Sequence, residues 1–317
     1  MAGKRISDML ADAPDNWGRW GADDETGAVN YLTSEEVLRG IGAVENGETH
    51  ALGLPVARPE GDPSWPGRPD TAHYMDRDEG HYESGKEASR NDAHGAENVV
   101  HMPLHGTTHV DAPGHVWYDG ELYNGFDAGT TKGGLDRAAI DGVGEHGILG
   151  RGVLLDVARY RGIDALAAGE RITVDELTAC AEAQGVDLQR RDVPLIRTGW
   201  LEQYYDEDGA DIYDGPFREP GLTYSDALVE WFHEMEIPAF GTDTIANEQT
   251  ISGETGTPIP LHPALLRDQG VLFVEMLKLD DLANACTADD RYAFLFVATP
   301  LKIVRATASP VNPLAVR

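Results

Sequence analysis

From about residue 150 onward, short apolar runs alternate with segments of helical spacing. The runs at 152–157 (GVLLDV), 193–198 (VPLIRT), 239–242 (AFGT), 271–277 (VLFVEML) and 292–299 (YAFLFVAT) are brief and rich in Val, Ile, Leu and Phe, which predicts buried strands. Residues 174–184, ending before Gly185, and residues 225–235 carry the wider helical period. Pro263 can start a further helix over 264–269, with Gly270 closing it. Strands interleaved with helices predict an α/β domain.

The first third reads differently. Residues 33–42 predict a helix, because Thr33 can cap it, Glu36 can complete a capping box and Gly42 can end it. Between 53 and 98 the chain turns to Pro, Gly, Asp, Glu and His without a sustained apolar period, which predicts a surface excursion or lid. His73, His81 and His94 fall there, His101 lies just past its end, and all four are expected to face solvent. No repeat or low-complexity tract breaks the chain, so residues 1–317 are expected to form one domain with an N-terminal arm over about 1–50.

Composition narrows the functional classes. At 317 residues and 41% hydrophobic, the chain can bury a large core. It carries 55 acidic against 25 basic residues, a formal net charge of -30, which argues against nucleic acid as a partner because phosphate recognition needs a basic face. The same charge suits a solvated acidic shell in a high-salt habitat. Two cysteines, Cys180 and Cys286, make no disulfide framework, and no long apolar run suggests a membrane span. A cytoplasmic protein without membrane contact is expected.

Candidate chemistry concentrates in His105-Gly-Thr-Thr-His109-Val-Asp111-Ala-Pro-Gly-His115. A continuous strand would hold His105 and His109 about 13 Å apart, too far to share an ion. Gly106, Thr107, Thr108 and the flanking prolines disfavour a long helix, so a tight turn entering a short extended piece is expected. Two imidazoles and a carboxylate are the donor set of a catalytic zinc site that keeps a position for water. A metal there would bring water's pKa toward about 7. His115, beyond the Pro113-Gly114 turn, can face the site as general base and then acid. Thr107 or Thr108 can offer a hydroxyl to the ligands or to an oxyanion.

Further on, Glu275 sits inside an apolar strand, where an ionised unpaired acid would cost several kcal/mol, so it calls for a metal or a cation. His262 precedes it by one predicted helix. With Asp111 bridging, His262 and Glu275 can hold a second ion; alternatively they orient water and substrate at a single-ion site. Asp156, Arg197 and Asp243, polar residues in or beside strands, fit a buried network, though Asp243 is also a candidate at the pocket. Trp17 and Trp20 are packing residues, or else pocket or dimer anchors.

These residues resemble the cyclase-type metal-dependent hydrolases that include bacterial kynurenine formamidase, isatin hydrolase and trans-dienelactone hydrolase. The family pattern HxGTHxDxPxH is matched by HGTTHVDAPGH, and a later His and Glu by His262 and Glu275. Here Gly106 directly follows the first His and Thr107 stands where the pattern has Gly. The resemblance implies a swivelling β/β/α domain with mixed β-sheets flanked by helices, assembled as a homodimer or homotetramer. It further implies metal ligation by His105, His109 and Asp111, acid/base catalysis by His115, and a ligand or supporting role for His262 and Glu275.

The expected function is therefore hydrolysis of a small cyclic amide, lactone or aryl formamide by metal-activated water, using one or two Zn2+ or Mn2+ ions. A metal-dependent lyase or cyclase working without net hydrolysis, and a non-catalytic metal-binding protein, are the alternatives.

Overall fold

The computed structural model describes residues 4–86, 91–205 and 217–317. In chain order the strands are β1 (Thr49–Ala51), β2 (Ala72–Arg77), β3 (Glu97–His101), β4 (His109–Asp111) and β5 (Ile148–Asp156). They continue with β6 (Arg171–Ile172), β7 (Val193–Arg197), β8 (Gly221–Leu222), β9 (Ala239–Thr242) and β10 (Leu272–Glu275). The last are β11 (Ala293–Ala298), β12 (Ala308–Pro310) and β13 (Leu314–Val316).

A nine-stranded sheet in the order β1-β13-β11-β5-β7-β9-β10-β4-β12 organises the molecule. Its centre, β5-β7-β9-β10, is parallel, and the strands on either side run antiparallel. Alternation along β5 sends Leu154 to one face and Val153 and Leu155 to the other, so both faces bear core. Helices Val174–Gln184 and Asp226–Glu234 cover the second face with Leu177, Leu228 and Phe232, while Leu282 and Ala283 of helix Asp280–Asp289 pack on the first. Each fully buried Phe or Leu in these layers contributes about 1.5–3 kcal/mol. The result is a mixed α/β fold, a mixed sheet flanked by helices.

Local signals and structure agree closely at the Thr33 cap, where Glu36 accepts from the Thr33 backbone N–H at 3.0 Å and the helix spans Ser34–Ile41. The strand expected to run through 277 stops at Glu275, because Met276 takes a left-handed φ of 59° and leaves the ladder. The helix expected over 264–269 begins earlier and is wound as a π-helix, His262–Asp268. Such windings gather at functional sites, and this one starts on a candidate ligand.

The N-terminal arm clasps that π-helix. Asn16 N–H donates to Asp268 O at 3.0 Å, Asn16 Nδ2 to Gln269 O at 2.8 Å, and Ala28 N–H to Gly270 O at 2.8 Å. Gly27 packs so closely on Gly270 that a Cβ on Gly27 would lie 2.5 Å from the Gly270 carbonyl oxygen. In the excursion, β2 and β3 pair as an antiparallel hairpin whose strand residues are nearly all exposed. No helix among the described residues is long and apolar enough to cross a membrane.

Candidate metal centre

Strand pairing brings the two distant sequence clusters together. β4 lies between β10 and β12, with His109 opposite Glu275 and Pro310, and Val110 opposite Val274. Period-two alternation places His109 and Asp111 on one face and Val110 in the core. Before β4 the chain turns at residues 103–106, closed by Gly106 N–H to Pro103 O at 3.0 Å. A Cβ on Gly106 would meet Pro103 at 3.0–3.3 Å, so this turn favours glycine. The turn folds His105 back beside His109, their rings 4.9 Å apart, where an extended chain would separate them.

Six side chains converge. His105 Nδ1 lies 2.8 Å from Asp111 Oδ1, and His109 Nε2 lies 3.3 Å from the same oxygen and 3.2 Å from Glu275 Oε2. His262 Nε2 is 3.4 Å from Glu275 Oε1 and 3.8 Å from Asp111 Oδ2. The His115 ring stands 4.2 Å from that of His105 and 6.4 Å from that of His262. His109 and Asp111 have no accessible surface, and Glu275 retains 2%.

These contacts are close but unsatisfied. Among the described residues, His105 Nδ1, His109 Nε2, both Asp111 oxygens and Glu275 Oε1 are buried without a hydrogen-bond partner. So many orphaned polar atoms in one place would cost several kcal/mol in a purely structural cluster. Nitrogen and carboxylate oxygen atoms aimed at a common space are instead the donor set of a divalent metal. Two overlapping groups meet the distance requirement, His105-His109-Asp111 and Asp111-His262-Glu275, sharing Asp111.

The outward nitrogens are held from behind, which aims the inward ones. His109 Nδ1–H donates to Thr107 O at 2.6 Å, His105 Nε2 meets Thr307 Oγ1 at 3.0 Å, and His262 Nδ1 meets Glu248 Oε1 at 2.7 Å. Glu248 also accepts the backbone N–H groups of Leu261 and His262, fixing the start of the π-helix. Sequence reasoning missed Glu248 and Thr307. Glu248 is the sole charge between Asp243 and Glu254, a faint signal; Thr307 carries none.

Electrostatics follow from burial and proximity. Burial would raise the Asp111 carboxyl, but the imidazoles of His115, His105 and His109 hold it well below the usual range. Burial would lower His109 and His262; carboxylate partners outweigh it and push them up to about 9 and about 10. His115 goes the other way, down to about 3, as burial and the neighbouring His105 and His262 outweigh Asp111. It is therefore neutral at pH 7, and its ring makes no hydrogen bond among the described residues.

The remaining candidates lie further out. Thr108 Oγ1 donates to Met276 O at 2.6 Å and accepts from Leu54 N–H at 2.9 Å, tying β4 to the chain after β10. The buried Thr107 hydroxyl has no hydrogen-bond partner among the described residues. Asp243 accepts from Thr198 N–H, Thr198 Oγ1 and Gly199 N–H, so its hydrogen bonds serve the ends of β7 and β9. Trp17 lies over the guanidinium of Arg267 at 4.4 Å and donates to Arg267 O at 3.2 Å, on the π-helix. Asp156 and Arg197 pair at 2.9 Å in a buried network with Asp280.

Residues 49–249 match the family described as Putative cyclase, a span holding His105, His109, Asp111, His115 and Glu248. The chain belongs to the putative cyclase family. A solved structure of a novel cyclase superposes on this one with a TM-score of 0.87 at 34% identity, covering all of both chains. The chain is 26% identical to the isatin hydrolase of Roseibium aggregatum over 223 residues, 69% of this chain and 74% of that protein. It is 25% identical to Cyclase-like protein 2 of Oryza sativa subsp. japonica over 236 residues, covering 73% of this chain and 69% of the other. A structure of an isatin hydrolase bound to the product analogue thioisatinate shares the fold, with a TM-score of 0.60 at 20% identity over 90% of this chain and 99% of that one.

Proposed function

We propose that this chain is a metal-dependent hydrolase that opens a small cyclic amide, lactone or aryl formamide. The observation that carries the reading is the set of orphaned, inward-facing ligand atoms with a neutral, unpartnered His115 beside them. His105, His109, Asp111, His262 and Glu275 would hold one or two divalent ions, Zn2+ or Mn2+, with Asp111 shared if there are two. A bound ion supplies Lewis acidity and lowers the pKa of water, so that hydrolysis can proceed near neutral pH.

The residues of the chain then divide the work. Neutral His115 can accept a proton from water as its oxygen adds to the substrate carbonyl. The resulting imidazolium returns that proton to the nitrogen or oxygen released when the carbonyl carbon's bond to it breaks. Asp111 favours this transient charge. Glu248, Thr307 and the Thr107 carbonyl keep the ligand imidazoles oriented through the cycle. The isatin hydrolase relative supports ring-amide opening as the chemistry.

The test is metal analysis of untagged protein together with a panel of N-formylkynurenine, isatin and small lactones, before and after chelation. About one or two equivalents of metal and a chelator-sensitive gain of one water by a substrate would support the reading. Product formed without addition of water would favour a lyase, and failure to take up metal after reconstitution would end it. We further expect a cytoplasmic homodimer or homotetramer, which mass measurement in solution checks.

A further inference from the structure

The excursion touches the metal centre through a turn that neither the ligand set nor the acid/base chemistry uses. Arg68 N–H donates to Trp65 O at 3.1 Å, closing the turn, and Arg68 Nη1 donates to the backbone carbonyl of His105 at 2.6 Å. The guanidinium has five N–H donors, and among the described residues that contact is the hydrogen bond it makes, with no carboxylate in ion-pair range. Among the described residues this partly buried arginine is therefore without an acidic partner, although acids outnumber bases in the chain by 55 to 25. Burial opposes its charge, and the carboxylates acting on it are Glu275 and Asp111 of the metal centre.

Trp65, at the other end of the turn, meets Phe217 edge-on at 4.7 Å. Both pack on the apolar cluster of Leu54, Leu201, Ile245 and Met276, and Met276 directly follows Glu275. A cation with free donors and an apolar cluster thus sit on either side of one turn, next to candidate ligands.

We propose that Arg68 is a specificity residue that receives a carboxylate of the substrate, so that the site selects apolar or aromatic amides and lactones bearing an anionic group. The planar guanidinium matches a carboxylate in a two-pronged contact, and a neutral substrate leaves those donors empty in a partly desolvated place. The substrate class rests on the hydrolase reading; the anion contact does not. The competing role is structural, with Arg68 bracing the His105 loop through its carbonyl.

The experiment measures benzoate and benzamide binding to metal-loaded full-length protein, by calorimetry, for the native chain, Arg68→Ala and Arg68→Lys, with metal content determined for each. Contacts of benzoate to the ion are common to all three proteins and cancel in the comparison. The expected result is about a tenfold loss of benzoate affinity in Arg68→Ala, under about a twofold change for benzamide, partial recovery in Arg68→Lys, and unchanged metal content. Equal benzoate affinity in the native chain and Arg68→Ala overturns the proposal, as does a loss that tracks falling metal content. Discrimination by Arg68 in a protein that hydrolyses nothing in the panel keeps the anion site and removes the hydrolase reading.

Discussion

His115 stands within 4.2 Å of His105 yet is set apart by its low pKa of about 3 and its unpartnered ring. Replacing it with alanine should lower kcat by about 10²–10⁴-fold and leave metal content unchanged, as steady-state kinetics with elemental analysis would show. A full loss of metal in that variant would make it a ligand instead. Glu248→Gln weakens the support behind His262 Nδ1 and should reduce metal affinity by about 10–100-fold, read by chelator competition. Protonation gives a further prediction. Without metal, His109 and His262 keep their protons up to about 9 and about 10, against about 6.5 in an unfolded chain. A raised folded-state pKa stabilises fully below about 6.5 and is lost as pH rises through the folded values. The melting temperature of metal-free protein should therefore fall between about pH 7 and 10, widening its gap from the metal-loaded form. A constant gap in scanning calorimetry would contradict this.

Among the elements, β4 is three residues long and survives because its neighbours hold it on both sides. Thr108 anchors its start through the Met276 carbonyl and the Leu54 N–H. Thr108→Val keeps the shape but strands both buried backbone groups, which should cost about 1–3 kcal/mol in denaturant unfolding and loosen the metal. A change below about 0.5 kcal/mol would mean that β10 and β12 alone position the ligands. The sequence pointed to a turn and a short extended piece here, because glycine, threonine and proline disfavoured a helix. It gave no hint of β12 as the second neighbour, since strand partners at this separation leave no local trace.

For the molecule as a whole, a formal charge of -30 implies self-repulsion that added salt screens. Raising NaCl from about 0.1 M to about 1 M should lift the melting temperature by several degrees, and a flat response would show that the acidic surface is already neutralised by its arginine pairs. Those pairs are numerous, for example Arg191 with Glu36 and Glu236, and among the described residues Arg68 stands out by having no such acidic partner. The N-terminal arm adds a second long-range effect. It latches onto the π-helix that begins at His262, so the N-terminal arm steadies a candidate ligand more than 240 residues away from Asn16.

The sequence alone determined the α/β alternation, the clustering of His105, His109, Asp111 and His115, and the oddity of a carboxylate at Glu275. These are readable because apolar period, capping residues and ligand chemistry are local properties of the chain. Tertiary structure decided that Glu275 lies opposite His109, that Glu248 and Thr307 hold two imidazoles from behind, and that Arg68 arrives from the excursion. Each of those depends on strand order and loop path, and a polar residue's meaning in this site is fixed by the neighbour that folding delivers to it.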